Sequence, residues 1–351
     1  MPSPTGCSRI LQVHPTRRCN LKCLHCYSLS GPKEREEVAA SVLLAALTDA
    51  RQAGYGVASF SGGEPLLYKE LPALLHHAHD CGMITTVTTN GMLLDERKLE
   101  TLQGAAVIAI SLDGKPKSHN IMRASKQAFA GMLARLEGLR ASEIPFGFIF
   151  TLTQYNLDEL DWVASFALEQ GARLLQIHPL EDVGRARAKL PGERPDEIES
   201  AYAVIEAFRL KEEFGDRIYV QVDLIHRESM EAEPSRVFAD DLPATTNDLP
   251  FAELISPLVI EPDGAVVPIE YGLARQFALG NLHGAPLAEL MERWRRDQLQ
   301  DFRALCRRVY QATTKPAELP YFNWYETLCE MAVESQVRGQ RSEVRGQMKR
   351  I

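Results

Sequence analysis

The stretch that decides the fold is "RILQVHPTRRCNLKCLHCYS", Arg9 to Ser28. Its first six residues form a short apolar run that reads as a strand. The rest is a loop carrying Cys19, Cys23 and Cys26, three of the seven cysteines in 351 residues. Thiols spaced C-x3-C-x2-C on one loop can converge on one face of an iron–sulfur cluster, because thiolate is the soft ligand such clusters take. With no fourth cysteine nearby, one iron would stay open to a small molecule. A zinc knot or three incidental thiols are the alternatives, although structural zinc sites usually use paired C-x2-C units with a second pair downstream.

Outward from this loop a strand-then-helix unit repeats. "VAASVLLAALTDARQAG" from Val38 places apolar residues three and four apart and stops at Gly54, as a helix C-terminus does. "VASF" from Val57 is the next strand, and "KELPALLHHAHDCG" the next helix. Strands at "ITTVTT" (Ile84), "VIAIS" (Val107), "FGFIFTLT" (Phe146) and "LLQIHP" (Leu174) then alternate with helices at "DERKLETLQG", "AFAGMLARLEGLR" and "LDELDWVASFALEQG". Each crossover must return the chain in the same direction, which predicts an α/β fold with a parallel sheet. A partial (β/α)6 barrel fits best, a doubly wound open sheet being the rival. Either puts chemistry at the C-terminal ends of the strands.

The regularity weakens after "HPLEDVGRARAKLPGERPDE". A helix over "EIESAYAVIEAFRLKEEFG" and a strand over "IYVQVDL" complete an expected first domain, residues 1–225. A small α+β extension is expected over 226–351. It holds the polar segment "EPSRVFADDLPATTNDLP" and a hairpin in "ISPLVIEPDGAVVPIE" split by Pro-Asp-Gly. One amphipathic helix in "APLAELMERWRRDQLQDFRAL" and a frayed end, "RGQRSEVRGQMKR", follow.

Hydrophobic residues at 45% and charged residues at 25% are those of a globular protein. The formal charge of −8 argues against a nucleic-acid partner, since phosphate-tracking surfaces need excess Lys and Arg. No apolar run reaches the roughly 18 residues that span a bilayer, and the N-terminus lacks the layout of a signal peptide. A cytoplasmic protein with no membrane partner is expected. Cysteines odd in number and without spaced pairs speak against a disulfide framework.

"CNLKCLHC", followed one βα unit later by "FSGGEPLL", resembles the radical S-adenosylmethionine (SAM) superfamily. Its members carry C-x3-C-x-aromatic-C after the first strand and a Gly-Gly-Glu-Pro turn after the second. Here His25 takes the aromatic position, and Gly62, Gly63, Glu64 and Pro65 supply the turn. The resemblance implies an enzyme in which Cys19, Cys23 and Cys26 hold a [4Fe-4S] cluster and SAM chelates the open iron. One electron from an external carrier such as flavodoxin or ferredoxin would cleave SAM to a 5′-deoxyadenosyl radical, which abstracts hydrogen from a substrate. His25 and Tyr27 border the cluster in this reading. Bare backbone at Gly62 and Gly63 would approach SAM, and Glu64 would add negative charge near its ammonium.

Further positions follow the later strands. Asn90 in "TTNG", and Ser111 and Asp113 in "ISLDG", resemble stretches near SAM in the peptide-modifying branch, although Asn-Gly and Asp-Gly also favour turns in their own right. "HNIMR" resembles that branch's His-Asp-x-x-Arg element with Asn120 in place of Asp, and it would let Arg123 grip the SAM carboxylate. Gln176 and His178 flank Ile177 at the end of the sixth strand, so both point to the face opposite it. His76 and His79 in "LLHHAHD" are read as a solvated helix face rather than a metal site.

The C-terminal part, "IEPDGAVVPIE" with "GNLHGAPLAELMERW", resembles the SPASM or twitch extension, which normally binds further clusters. Where that pattern has Pro-Cys, this chain has Pro268, Ile269 and Glu270, and only Cys306 and Cys329 remain downstream. An extension that keeps its fold without a cluster is expected. The function expected is C–H functionalisation, such as crosslinking or epimerisation, of a ribosomal peptide or peptide-like substrate. Because the first strand begins at once, leaving no room for a leader-binding domain, a small-molecule biosynthetic intermediate is the second reading. A non-catalytic iron–sulfur or zinc protein is the alternative from another class. Tyr271, Tyr310, Tyr321 and Cys306 are read as core packing rather than radical relays.

Overall fold

The structure, a computed structural model, describes residues 9–241, 248–314 and 319–335. Strand β1 (Ile10–Val13) leads into the cysteine loop and then α1 (Ala40–Gln52), whose buried Leu43, Ala46, Leu47 and Ala50 follow the spacing of a helix face. Next come β2 (Val57–Phe60), α2 (Leu71–Asp80), β3 (Ile84–Thr89) and α3 (Glu96–Thr101). The Asp95 side chain caps α3 by accepting from the Lys98 N–H. The series continues through β4 (Val107–Ser111), α4 (Pro116–Met122), α5 (Ala128–Ala141), β5 (Phe146–Leu152), α6 (Leu160–Glu169) and β6 (Leu174–Pro179). A short α7 (Ala186–Lys189), α8 (Glu197–Phe214) and β7 (Tyr219–Val222) follow. Asp196 and Glu199 start α8 with a reciprocal capping box.

Beyond lie β8 (Ile225–His226), α9 (Arg227–Ala232), α10 (Phe251–Leu254) and the hairpin β9 (Leu258–Ile260) and β10 (Ala265–Pro268). Then come β11 (Gly280–Asn281), α11 (Leu287–Asp297), α12 (Leu299–Thr313), β12 (Tyr321–Phe322) and a helical stretch over 324–335. Ten strands form one sheet in the order β11-β10-β9-β1-β2-β3-β4-β5-β6-β7. Strands β1 to β7 run parallel, as the crossovers require. The sheet does not close, since β11 and β7 are its edges. This is the α/β fold and open partial barrel expected.

The hairpin extends that same sheet. β9 pairs in parallel with β1, Leu11 opposite Leu258, while β10 runs antiparallel to β9. Phe60, Phe148, Phe150, Leu175 and Ile177 are fully buried between sheet and helices. Burying a side chain of this size contributes about 1.5–3 kcal/mol.

The single helix expected over "APLAELMERWRRDQLQDFRAL" is two. Gln298, outside helical geometry at φ −129°, separates α11 from α12. The break turns Trp294 and Phe302 toward one core, their ring centroids 5.6 Å apart, and the Trp294 indole N–H donates to Phe277 O. No described helix is long and apolar enough to cross a membrane. The polar end "RGQRSEVRGQMKR" and residues 242–247 of the polar segment lie outside the described residues.

Candidate functional site

The cysteine loop is packed into the protein. Cys19 and Cys23 are buried with Leu21, and Cys26 and Met92 pack against them. Cys19 N–H donates to Gly31 O at 3.2 Å, and Leu24 N–H to Met122 O at 2.8 Å at the end of α4. From the loop after β6, Arg185 donates from Nη1 to Cys23 O at 2.6 Å, from Nη2 to Ser30 O at 2.8 Å and from its backbone N–H to Cys26 O at 2.9 Å. Gly184, at φ +56°, lets that loop lie flat on the cysteines, since a Cβ there would sit 2.4 Å from Tyr27 O.

Burial, with Glu64 and the other two thiols beside it, pushes the Cys19 thiol up to about 12. Ligation therefore needs a metal's positive charge to release the proton. Among the described residues, no three His, Cys, Asp or Glu side chains are arranged around a single metal ion. Cys19 and Cys23, with Cys26 packed against them, lie in one small apolar cluster with Leu21 and Met92; soft thiolates in such a setting suit an iron–sulfur cluster.

The Gly-Gly-Glu-Pro turn braces this loop. Gly63 N–H donates to Thr16 O and Glu64 N–H to Arg18 O, both at 2.9 Å. A Cβ at Gly63 would lie 2.2 Å from Arg18 O, so the close approach that requires glycine is to the cysteine loop's own backbone. Gly62, at φ +115°, lies over His14 and Thr16. The Glu64 carboxylate is fully buried. It accepts from Leu66 N–H at 3.2 Å, Thr89 Oγ1 at 2.8 Å and Asn90 N–H at 2.9 Å. Its observed task is to tie the turn to the end of β3. Asn90 Nδ2 donates to Asn20 Oδ1 at 2.8 Å, joining that strand end to the loop between Cys19 and Cys23.

Arg123 departs from the expected role. Its guanidinium is engaged by Asp113, with Nη2 to Oδ1 at 3.1 Å and Nε to Oδ2 at 2.6 Å, and Nη1 lies 3.7 Å from Cys23 Sγ. The fork expected to be free for a carboxylate already holds one. The Nε contact is a charge pairing and not a hydrogen bond. Asp113, fully buried, is held below the usual carboxylate range: against the raising effect of burial, the Arg123 guanidinium keeps it ionised. His25 Nε2 is 3.7 Å from Asp113 Oδ2, and burial lowers the ring to about 4, so it is neutral. Asn120 closes the turn after α4, donating to Lys126 O and accepting from Phe129 N–H. Ser111 is half-buried at the end of β4.

At the ends of β6 and β7, Gln176 Nε2 and His178 Nδ1 meet one oxygen of Asp223, at 2.6 and 3.1 Å. Burial lowers His178, but Asp223, Glu181 and Glu270 outweigh it and raise the ring to about 9. Glu181 accepts from Asn323 Nδ2 at 2.8 Å, and burial together with Glu181 raises Glu270. Beside them, Tyr271 stacks on His14 with centroids 4.8 Å apart, and Tyr27 stands edge-on to both. His14 is fully buried with neither ring nitrogen hydrogen-bonded, and burial drops it to about 3. Elsewhere, His79 bonds Thr85 and His76 pairs with Asp80, so the two do not converge. Cys306 is fully buried in the core.

Sequence reasoning missed Arg185, Asp223, Glu181 and His14. Arg185 lies in the Gly- and charge-rich stretch read as a connector, where only the Gly184-Arg185 pair hinted at a tight approach.

Residues 13–167, under half of the chain, match the sequence family described as the Radical SAM superfamily. The Fe-coproporphyrin III synthase of Methanosarcina barkeri (strain Fusaro / DSM 804) is 33% identical over 192 residues, covering 54% of this chain and 48% of that protein. The chain spans about half the length of the curated relatives it matches. The fold is similar to that of Streptococcus suis SuiB bound to S-adenosylmethionine, with a TM-score of 0.65 and 16% identity over 85% of this chain and 68% of that one. It is also similar to anSMEcpe with bound AdoMet and peptide, with a TM-score of 0.63 and 16% identity over 95% of this chain and 99% of that one. The cysteine loop after β1, the glycine turn after β2 and the family match agree: residues 13–167 carry a radical SAM domain, of a superfamily whose enzymes use a [4Fe-4S] cluster and S-adenosylmethionine.

Proposed function

We propose that this chain is a radical SAM enzyme in which Cys19, Cys23 and Cys26 hold the [4Fe-4S] cluster and leave one iron open to SAM. The observation that carries this is the gathering of three thiols of one loop in one apolar cluster, Cys19 and Cys23 buried and Cys26 partly so, with the Arg123 cation 3.7 Å from Cys23 Sγ. When bound, the cluster and SAM supply radical hydrogen abstraction. The residues around it do the rest. Arg123 offsets the negative charge of ligating sulfur, and Asp113 fixes Arg123 in place. Gly63 and Arg185 hold the loop backbone, and the apolar wall of Leu21 and Met92 keeps water away. Gly62, Asn90 and Ser111, at the ends of β2 to β4, are our choice for the SAM side. At neutral pH a protonated His178 holds its Nδ1 proton on Asp223, and we place it with Gln176 and Glu270 on the substrate side. We read residues 1–225 as the catalytic domain and 226–351 as a SPASM- or twitch-like extension without cluster ligands.

The substrate reading stays with a peptide or peptide-like molecule, whose amides would find both donors and acceptors among Gln176, His178 and Asp223. A small-molecule biosynthetic intermediate is the second reading, favoured by a curated relative named as a coproporphyrin synthase. Anaerobic reconstitution followed by SAM and dithionite tests the function. Release of 5′-deoxyadenosine is expected. Iron-free protein, or a cluster spectrum indifferent to SAM, would overturn it. Substrate deuterium appearing in 5′-deoxyadenosine decides between peptide and small molecule.

A further inference from the structure

Two cations flank Gly31 and two more follow it in the chain, beside the cysteine loop. Gly31 O accepts the Cys19 N–H at 3.2 Å, and Gly31 bridges in parallel to Arg18. The stem of Lys22 crosses the same glycine, its Cγ 3.9 Å from where a side chain would begin. Lys33 and Arg35 follow two and four residues on. All four side chains are exposed, and among the described residues none meets a carboxylate: Arg35 Nη1 donates only to Pro32 O and Glu34 O. The acids of the same segment are Glu34, Glu36 and Glu37; Glu36 is engaged by Arg17 at 2.8 Å, on which Asp263 also acts. A locally positive collar therefore sits on a chain of net charge −8, one hydrogen bond away from a ligand cysteine.

A surface of this sign on an acidic protein orients an acidic partner and repels it elsewhere. Its position over Cys19 suits a partner that must bring a redox centre close to the thiols. We propose that Arg18, Lys22, Lys33 and Arg35 form the docking surface for an acidic one-electron carrier protein of the flavodoxin class. This inference rests on the radical SAM reading above. In the transfer one electron leaves the carrier, which is oxidised by one equivalent, and reduces the cluster by one. No bond, proton or group moves.

The test titrates the reconstituted chain with a purified flavodoxin and measures the dissociation constant against salt. It also follows 5′-deoxyadenosine formed with reduced flavodoxin and, separately, with dithionite. Lys22→Glu/Lys33→Glu and, as an independent variant, Arg18→Glu should each weaken binding about tenfold at low ionic strength and slow flavodoxin-driven turnover alike. The difference should vanish at about 1 M salt, where screening is short-ranged, while dithionite-driven turnover stays at the wild-type level. Unchanged flavodoxin binding in both variants overturns the docking surface, as does an equal loss with dithionite, which would assign these side chains to the cluster itself. If dithionite yields nothing with the wild type, the catalytic reading falls, and the binding titration still decides the surface.

Discussion

Arg185 donates from Nη1 to the carbonyl oxygen of Cys23 at 2.6 Å, although 162 residues separate them. The loop after β6 thereby sets the shape of a loop after β1. Replacing Arg185 with alanine leaves Cys23 O and Ser30 O without their charged donor and should lower stability by about 1.5–3 kcal/mol. Lysine should rescue only part, because a point charge cannot span two carbonyls. Chemical denaturation of the apo protein reads the first effect. Iron bound per chain after reconstitution reads the loosened loop.

Gly63 has the tightest clearance in the turn, 2.2 Å from a would-be Cβ to Arg18 O. Gly63→Ala should push the cysteine loop away, at a cost of about 1–3 kcal/mol, and reduce iron uptake. Gly56, with nothing within 4 Å of its would-be Cβ, is the control. Gly56→Ala should leave both the denaturation midpoint and the iron content near wild type.

Asp113 and Arg123 are buried together, so breaking their pairing leaves an uncompensated charge. Asp113→Ala should destabilise the fold by about 3–5 kcal/mol. Asp113→Asn should retain some geometry but lose the charge. Urea unfolding of both variants and of Arg123→Met checks this. Removing the guanidinium alone should also alter the electronic spectrum of the reconstituted cluster, since its charge beside Cys23 is gone.

His178 is raised in the folded state, from an ordinary 6.5 to about 9, by Asp223, Glu181 and Glu270 acting against burial. A raised pKa contributes stability that is fully present below 6.5 and disappears as pH climbs through 9. Glu270, also raised, acts in the same direction, because ionising it among neighbouring acids is unfavourable. The melting temperature should therefore fall between pH 6.5 and 9. His178→Gln should flatten that fall, and a melting series unchanged by the substitution would remove His178 as its source.

Much of this molecule is written in local pattern. The alternation in "ITTVTT" and the apolar run "FGFIFTL" gave β3 and β5 because half-buried and fully buried strands have different periodicities. The cysteine spacing marked the candidate site. What stayed hidden depends on partners distant in sequence. Arg123 was picked out, but nothing local says that its guanidinium turns to Asp113 and Cys23 rather than to a ligand. The break at Gln298 is equally silent, since every residue from Leu287 to Leu305 favours or tolerates a helix. Only the packing of Trp294 against Phe302 demands two axes.

The pairing of β1 between β2 and β9 carries a consequence for biosynthesis. Leu11 needs Ala58 on one flank and Leu258 on the other. A nascent chain emerging from the ribosome exposes an unpaired ladder on the strand beside its cysteines until β9 has been made. Cofactor loading and protection from misassembly should both wait for that late strand to arrive.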